Sequence, residues 1–283
     1  MRHAFVCLLA AAFPALAQSE DLGAAAPELE SAPEPWRLSL EPAAWYAALS
    51  GTVKMPGSED ELELTDLNLD SPRLAPALEV HVREGRWRFV ARGQYTDSDR
   101  ETSAPFDSGF GGLSISAGDT LSSEIEYASV ELVASYRVAG IGDDGVFQRD
   151  ISGPRERLDV GVDVIGGLRA MYTSLRVENL DAAPGDVSVI AEDELFLYPV
   201  VGVRLDMRFN ERINIDVGTT VGGMAWDDQT SFAWNIVIGL SVEIAWNAAV
   251  QIGYRNTYFL LDSGEFEWAG GAAGVYGGVR VEF

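Results

Sequence analysis

Residues 231–246, SFAWNIVIGLSVEIAW, alternate without a break between two kinds of side chain. Phe232, Trp234, Ile236, Ile238, Leu240, Val242, Ile244 and Trp246 fall on one parity; Ser231, Ala233, Asn235, Val237, Gly239, Ser241, Glu243 and Ala245 fall on the other. A period of two is that of a β-strand, whose successive side chains point to opposite faces. The first face carries no charge, and its aromatics stand at the ends with aliphatics between them. That order suits a strand lying in lipid, with aromatic girdles at the two headgroup levels. At about 3.3 Å per residue and a tilt of about 40°, the segment rises on the order of 35 Å, enough for an apolar band of about 25 Å and both girdles.

The same alternation predicts strands over residues 36–50, 74–83, 87–96, 124–138, 158–172, 195–209, 213–225, 250–260 and 268–283. Together they predict an all-β fold, a transmembrane antiparallel up-and-down barrel of about ten strands. Eight strands stay open, because Pro42 removes a ladder donor from the first segment. An even count returns both ends of the barrel to one side, and the connection lengths agree. Long connections, 51–73, 97–123, 173–194, 226–230 and 261–267, alternate with the short turns 84–86, 210–212 and 247–249 and a longer link at 139–157.

Ahead of the strands, Arg2 and His3 precede an apolar run, and Ala15-Leu16-Ala17 supplies small residues before Gln18, so residues 1–17 predict a secretory signal peptide. Residues 18–35, acidic and rich in Ala and Pro, predict a disordered periplasmic lead-in, and residues 36–283 the barrel. The single cysteine, Cys7, lies inside the signal, which leaves no thiol chemistry to the barrel. The chain has 44 acidic and 20 basic residues, a formal charge of −24, which argues against a nucleic-acid partner. Lys54 is the only lysine. Arginine, whose planar fork satisfies several acceptors at once, suits a crowded interior better than lysine does.

Strand parity sends a set of charges inward. The bases are Arg37, Arg83, Arg88, Arg92, Arg137, Arg169, Arg204, Arg208, Arg255 and Arg280; the acids are Glu41, Glu79, Glu131, Asp159, Asp163, Asp206, Asp216, Glu243 and Glu282. Ten strands enclose a lumen only slightly wider than side chains fill, so these groups are expected to pair and plug it. A narrow pore or an active site made from the same residues is the alternative. His81, the only histidine beyond the signal, is expected to hydrogen-bond in the lumen, since no second imidazole is present for a metal site. Asp66-Leu67-Asn68-Leu69-Asp70 begins like a calcium loop, but Ser71 and Ala77 occupy the positions for glycine and the bidentate glutamate. An alternating extension of a strand above the membrane is expected there. Glu59, Asp60, Glu61 and Glu63 beside it could take divalent cations at the cell surface. No catalytic, cofactor or metal set emerges.

The chain ends in Tyr276-Gly277-Gly278-Val279-Arg280-Val281-Glu282-Phe283. With the signal peptide and the alternating strands, this end resembles the bacterial outer-membrane β-barrel superfamily, similar to the small OmpA-like and OmpW-like barrels. The resemblance implies that Val279, Val281 and Phe283 form a signal for the barrel-assembly machinery, and that the protein lies in the outer membrane of a Gram-negative bacterium among lipid and lipopolysaccharide. It implies a structural or surface-interaction role, or porin-like passage of small or apolar solutes. Omptin proteases share the strand count of ten, but their Asp and His-Asp pairs have no match here, and a non-catalytic protein is expected.

Overall fold

The computed structural model describes residues 36–58, 60–141, 158–209, 212–226 and 229–283. The segments expected at 1–17 and 18–35 lie outside the described residues, as does Glu59 and most of the 139–157 link. The strands are β1 (Arg37–Lys54), β2 (Leu62–Glu63), β3 (Arg73–Glu84), β4 (Trp87–Ser103), β5 (Ser108–Phe110), β6 (Leu113–Ile115), β7 (Thr120–Ile141), β8 (Leu158–Asn179), β9 (Val189–Phe209), β10 (Ile213–Trp226), β11 (Gln229–Ala245), β12 (Ala248–Asp262) and β13 (Glu267–Glu282). Ten of them, all but β2, β5 and β6, form an antiparallel ring in chain order, closed by β13 on β1. The expected strand count and fold class are met. Pairing of β1 with β13 runs from Ser39↔Glu282 to Lys54↔Glu267 and lapses at Glu41 and Pro42, while pairing with β3 continues through both. The proline's missing N–H therefore falls in a gap of the ladder.

Parity decides what each strand shows outside. On β11, Trp234 is 48% exposed and Ile238 47%, whereas Asn235 between them is 5%. Leu78, Leu132, Leu168, Val201, Leu240 and Ile252 continue the exposed aliphatic belt around the ring. Trp36, Trp87, Phe89 and Trp246 stand exposed at the end with the short turns, and Tyr46, Tyr95, Trp226 and Tyr258 towards the other. Such a surface would be unstable in water and is suited to hydrocarbon bounded by headgroups.

Several strands run well past this belt: β7 and β8 have 22 residues each and β9 has 21. Beyond the belt the two faces exchange character. Outward positions become Asp97, Asp99, Glu101 and Glu124, all exposed, while inward positions become Leu121, Ile125, Leu175 and Val177, all fully buried. The long connections close over this apolar end. β2 pairs with the end of β1, and the turn after it buries Leu64, Leu67 and Leu69 completely. The Asp66–Asp70 segment is thus a set of turns tucked into the mouth, not the strand extension expected, because its leucines gain more from the barrel's apolar end than from a solvated edge. The β5–β6 hairpin, turning at Gly111 and Gly112, both at positive φ, adds Phe110, Leu113 and Ile115 to the same cluster.

Beneath that cap, Phe259 and Trp268 meet edge to face at 4.6 Å, and Tyr127 stacks on Phe259 at 5.8 Å. Trp268 Nε1 donates to Ser50 O at 3.2 Å. Truncation of this ring removes a large buried surface, so Trp268→Ala is expected to cost about 3–5 kcal/mol in denaturant unfolding of the refolded barrel. The outer belt has its own test. Ile238→Arg should cost about 2–4 kcal/mol in lipid vesicles, and Thr230→Arg, exposed beyond the belt on the same strand, about 0–1 kcal/mol. Equal costs would mean that no lipid-facing depth gradient exists.

Candidate functional site

Below the apolar cap, the lumen is filled by charges whose signs alternate because of strand register. Glu79, Arg92, Glu131 and Arg169 lie directly opposite one another across β3, β4, β7 and β8. Neighbouring positions on one face stand about 4.5–5.5 Å apart, so each charge meets its opposite. Arg92 Nε and Nη2 donate to the two oxygens of Glu79 at 2.7 and 3.1 Å, a bidentate fork, and Arg92 Nη1 donates to Glu131 Oε1 at 3.1 Å. Arg169 donates to Glu131 from Nε at 2.8 Å and to Thr220 Oγ1 at 3.1 Å. Arg255 reaches the same group from β12, donating to Glu79 and to Gln94 Oε1, the latter at 2.7 Å. Arg280 donates to Glu41.

A second group lies nearer the short turns. Arg137 donates from Nε to Asp163 Oδ1 at 2.7 Å and from Nη2 to Asp206 Oδ2 at 3.0 Å; Arg88 approaches the same Asp206 oxygen at 3.4 Å, and Arg204 donates to Asp216. Gly161 makes room for this: a Cβ there would lie 2.2 Å from Arg137 Cζ. Likewise Gly239 and Gly253 leave space for the Tyr276 ring, on which the Arg255 guanidinium sits 5.5 Å from the centroid.

Of the predicted lumen residues, these are brought together. Arg37 and Glu243 are not: both are exposed at the end with the short turns, Glu243 where β11 shifts register between Glu243 and Ala245. Arg83, Asp159, Arg208 and Glu282 are half-buried at that end. Val279 and Phe283 are exposed on the outer face and Val281 is half-buried. The predicted set, confined to charges and His81, left out Gln94, Tyr127, Asn235, Thr257 and Tyr276, uncharged members of the same inward parity. The signal for them was that parity itself.

His81 Nε2 lies 3.4 Å from both Glu41 and Glu79, and the three side chains offer ligand atoms within 4.8 Å of one another. A divalent cation there would meet Arg92, Arg255 and Arg280, which already bind those carboxylates. The two carboxylates are therefore better described as acceptors for arginine, with His81 between them, than as part of a metal centre. Beside it is a cavity of about 30 Å³ lined by Glu41, His81, Arg204, Asp216, Tyr276 and Arg280 among others, room for a water molecule or two.

Removing one partner from such a group strands its counter-charge. Arg137→Ala should destabilise the barrel by about 3–5 kcal/mol, and Arg137→Ala with Asp163→Ala by clearly less than the two single changes added, in a double-mutant cycle read by denaturant unfolding. Additive costs would show that the pair is not energetically coupled.

No protein-family profile matches the chain, and no curated protein is similar to it in sequence. Among solved structures it is similar to the outer membrane protease OmpT from Escherichia coli, at 8% identity and a TM-score of 0.45, over 90% of this chain and 99% of that one. Neisserial surface protein A aligns at 13% identity and 0.36, over 87% and 97%. Ail, the attachment invasion locus protein of Yersinia pestis, aligns at 11% and 0.34, over 86% and 97%. Likeness at this level carries no argument about activity. The closed ring of ten strands, its uncharged aromatic-bounded belt and its ion-paired interior are themselves the architecture of a transmembrane antiparallel β-barrel.

Proposed function

We propose that this protein is an integral barrel of the outer membrane whose lumen is closed, so that its role is structural or is played by its surface. The observation that carries this reading is the stacking of two unlike plugs in one lumen. The arginine–carboxylate groups fill the half nearer the short turns, and the Tyr127, Phe259 and Trp268 rings with the leucines of the turns after β2 fill the other. A solute would have to break both, displacing paired charges and then a packed apolar cluster. A non-catalytic role is supported by the position of His81, buried between Glu41 and Glu79 and remote from the long-loop rim where an incoming substrate would be met.

In this orientation the short turns face the periplasm and the long loops the exterior. The rim then presents carboxylates to the outer leaflet: Asp97 lies opposite Glu126, and Asp99 opposite Glu124, on the outward face of β4 and β7. Like charges in register are unfavourable unless something bridges them. Arg73, which donates to Asp99 Oδ1 at 3.0 Å, does so in part, and divalent cations shared with lipopolysaccharide phosphates are partners of the right chemistry for the rest. Val279, Val281 and Phe283 would be the residues taken up by the assembly machinery, and Val279 and Phe283 are exposed on the outer face. Planar-bilayer recording of the refolded protein tests the closed lumen. The expected trace shows no steady current, and a stable ohmic conductance would replace this reading by that of a narrow pore.

A further inference from the structure

Signs alternate along Glu79, Arg92, Glu131 and Arg169, but the charges in this group do not balance. Arg255 joins the row through Glu79, so three guanidiniums share two carboxylates. The neighbouring Arg280–Glu41 pair is neutral in itself, and the group nearer the short turns sets Arg88, Arg137 and Arg204 against Asp163, Asp206 and Asp216. The surplus positive charge thus belongs to one place. All three guanidiniums line a single cavity of about 10 Å³, walled also by Ser129, Thr257 and Glu131.

Two donors at this cavity have no hydrogen-bond acceptor among the described residues. They are Arg169 Nη1 and Arg255 Nε, and each of these side chains is only 3% exposed. An unsatisfied charged donor at such depth is costly, and an unbalanced charge more so. Glu131 does not relieve them: it accepts from Arg92 at 3.1 Å and from Arg169 Nε at 2.8 Å, and Arg169 Nη1 and Arg255 Nε are left without an acceptor. A water molecule would accept a hydrogen bond but would leave the charge. The Thr257 hydroxyl, which accepts from Asn235 Nδ2 at 2.7 Å, keeps its own proton as a further donor, and a cavity of this size holds a single small species. We propose that it binds a single chloride ion, which accepts from Arg169 Nη1 and Arg255 Nε and neutralises the group. Bromide, somewhat larger and of the same charge, is its heavy-atom analogue. Sulfate and organic acids are too large. The ion is a structural counter-charge of the closed lumen, and its site stands whether or not the barrel conducts.

The test uses the full refolded barrel in detergent micelles, with sodium chloride or bromide exchanged against sodium gluconate at constant ionic strength. The thermal midpoint should rise with the logarithm of halide concentration, the linkage expected of a ligand bound only by the folded state. Arg255→Gln removes the surplus charge, and this variant should fold and lose the halide dependence. Crystals grown in low bromide, measured at its absorption edge, should show one anomalous peak between Arg169 and Arg255; this readout on the unmodified protein decides the matter if the variant does not fold. A midpoint indifferent to halide, an undiminished dependence in Arg255→Gln, or bromide found only at the protein surface would each overturn the proposal.

Discussion

Closure of the ring is the constraint from which the rest of this structure follows. A strand in hydrocarbon finds no water for its amides, so every N–H and C=O in the belt must be met by a neighbouring strand. The pairing of β13 with β1 completes that requirement and also sets the width of the interior. Ten strands enclose little more space than their own side chains occupy. Inward residues therefore act as one another's solvent, and a charge placed there must find its partner on an adjacent strand. Register supplies it: a carboxylate on β7, Glu131, stands between arginines on β4 and β8 because those three positions are opposite one another in the ladder.

The same strands then pass from one environment into another, and their alternation reverses at the crossing. Within the belt the outside is lipid, which admits only apolar side chains, and the inside can be polar. Above it the outside is aqueous, and the apolar residues change faces. On β7, Val130 and Leu132 are exposed outward while Ile125 and Tyr127, a few residues earlier, are buried inward. That reversal converts the upper barrel into an ordinary hydrophobic core, which the turns after β2 and the β5–β6 hairpin complete. Backbone ends there are satisfied locally. Asp181 accepts from the Thr120 N–H at 2.7 Å, a bond that holds its carboxyl below the usual range, and Asn179 Nδ2 donates to Ser114 O at 2.9 Å.

This division also explains which parts were legible in the sequence. All ten strands could be read, because lipid enforces strict alternation with no charge on one face, as in Phe232 to Trp246. Their upper ends could not be read as strand by the same rule. Residues 97–123 and 173–194 look like polar loops if only an apolar outer face is sought, yet Leu175 and Val177 alternate as faithfully as Ile238 and Leu240, on the opposite parity. Asp66–Asp70 misled for a different reason: Leu67 and Leu69 are spaced by two, as in a strand, but both are drawn inward by turns, with Asn68 between them at φ 55°. The charges of the lumen were legible as a set and not as pairs. Pairing depends on register, and register between neighbouring strands is fixed by turns and bulges, as the shift between Glu243 and Ala245 shows.

This interior could have been filled with apolar side chains throughout, and buried ion pairs are commonly no more stabilising than well-packed hydrophobic residues of the same volume. Charges in the lower half also change the chain itself, before any barrel exists. A strand apolar on both faces is also an uninterrupted apolar segment of chain. The eighteen residues from 158 to 175 contain three charged side chains, Asp159, Asp163 and Arg169, and the rest are apolar or small and uncharged. With apolar residues at those three places, the segment would be long and hydrophobic enough to be held as a helix in the first membrane an exported chain meets. On β8, inward charges keep the segment below that threshold, and pairing disposes of them once the ring has closed. The upper half escapes the requirement because its outward positions are already polar. Charged and apolar fillings thus occupy levels at which β8 remains free of a continuous apolar segment.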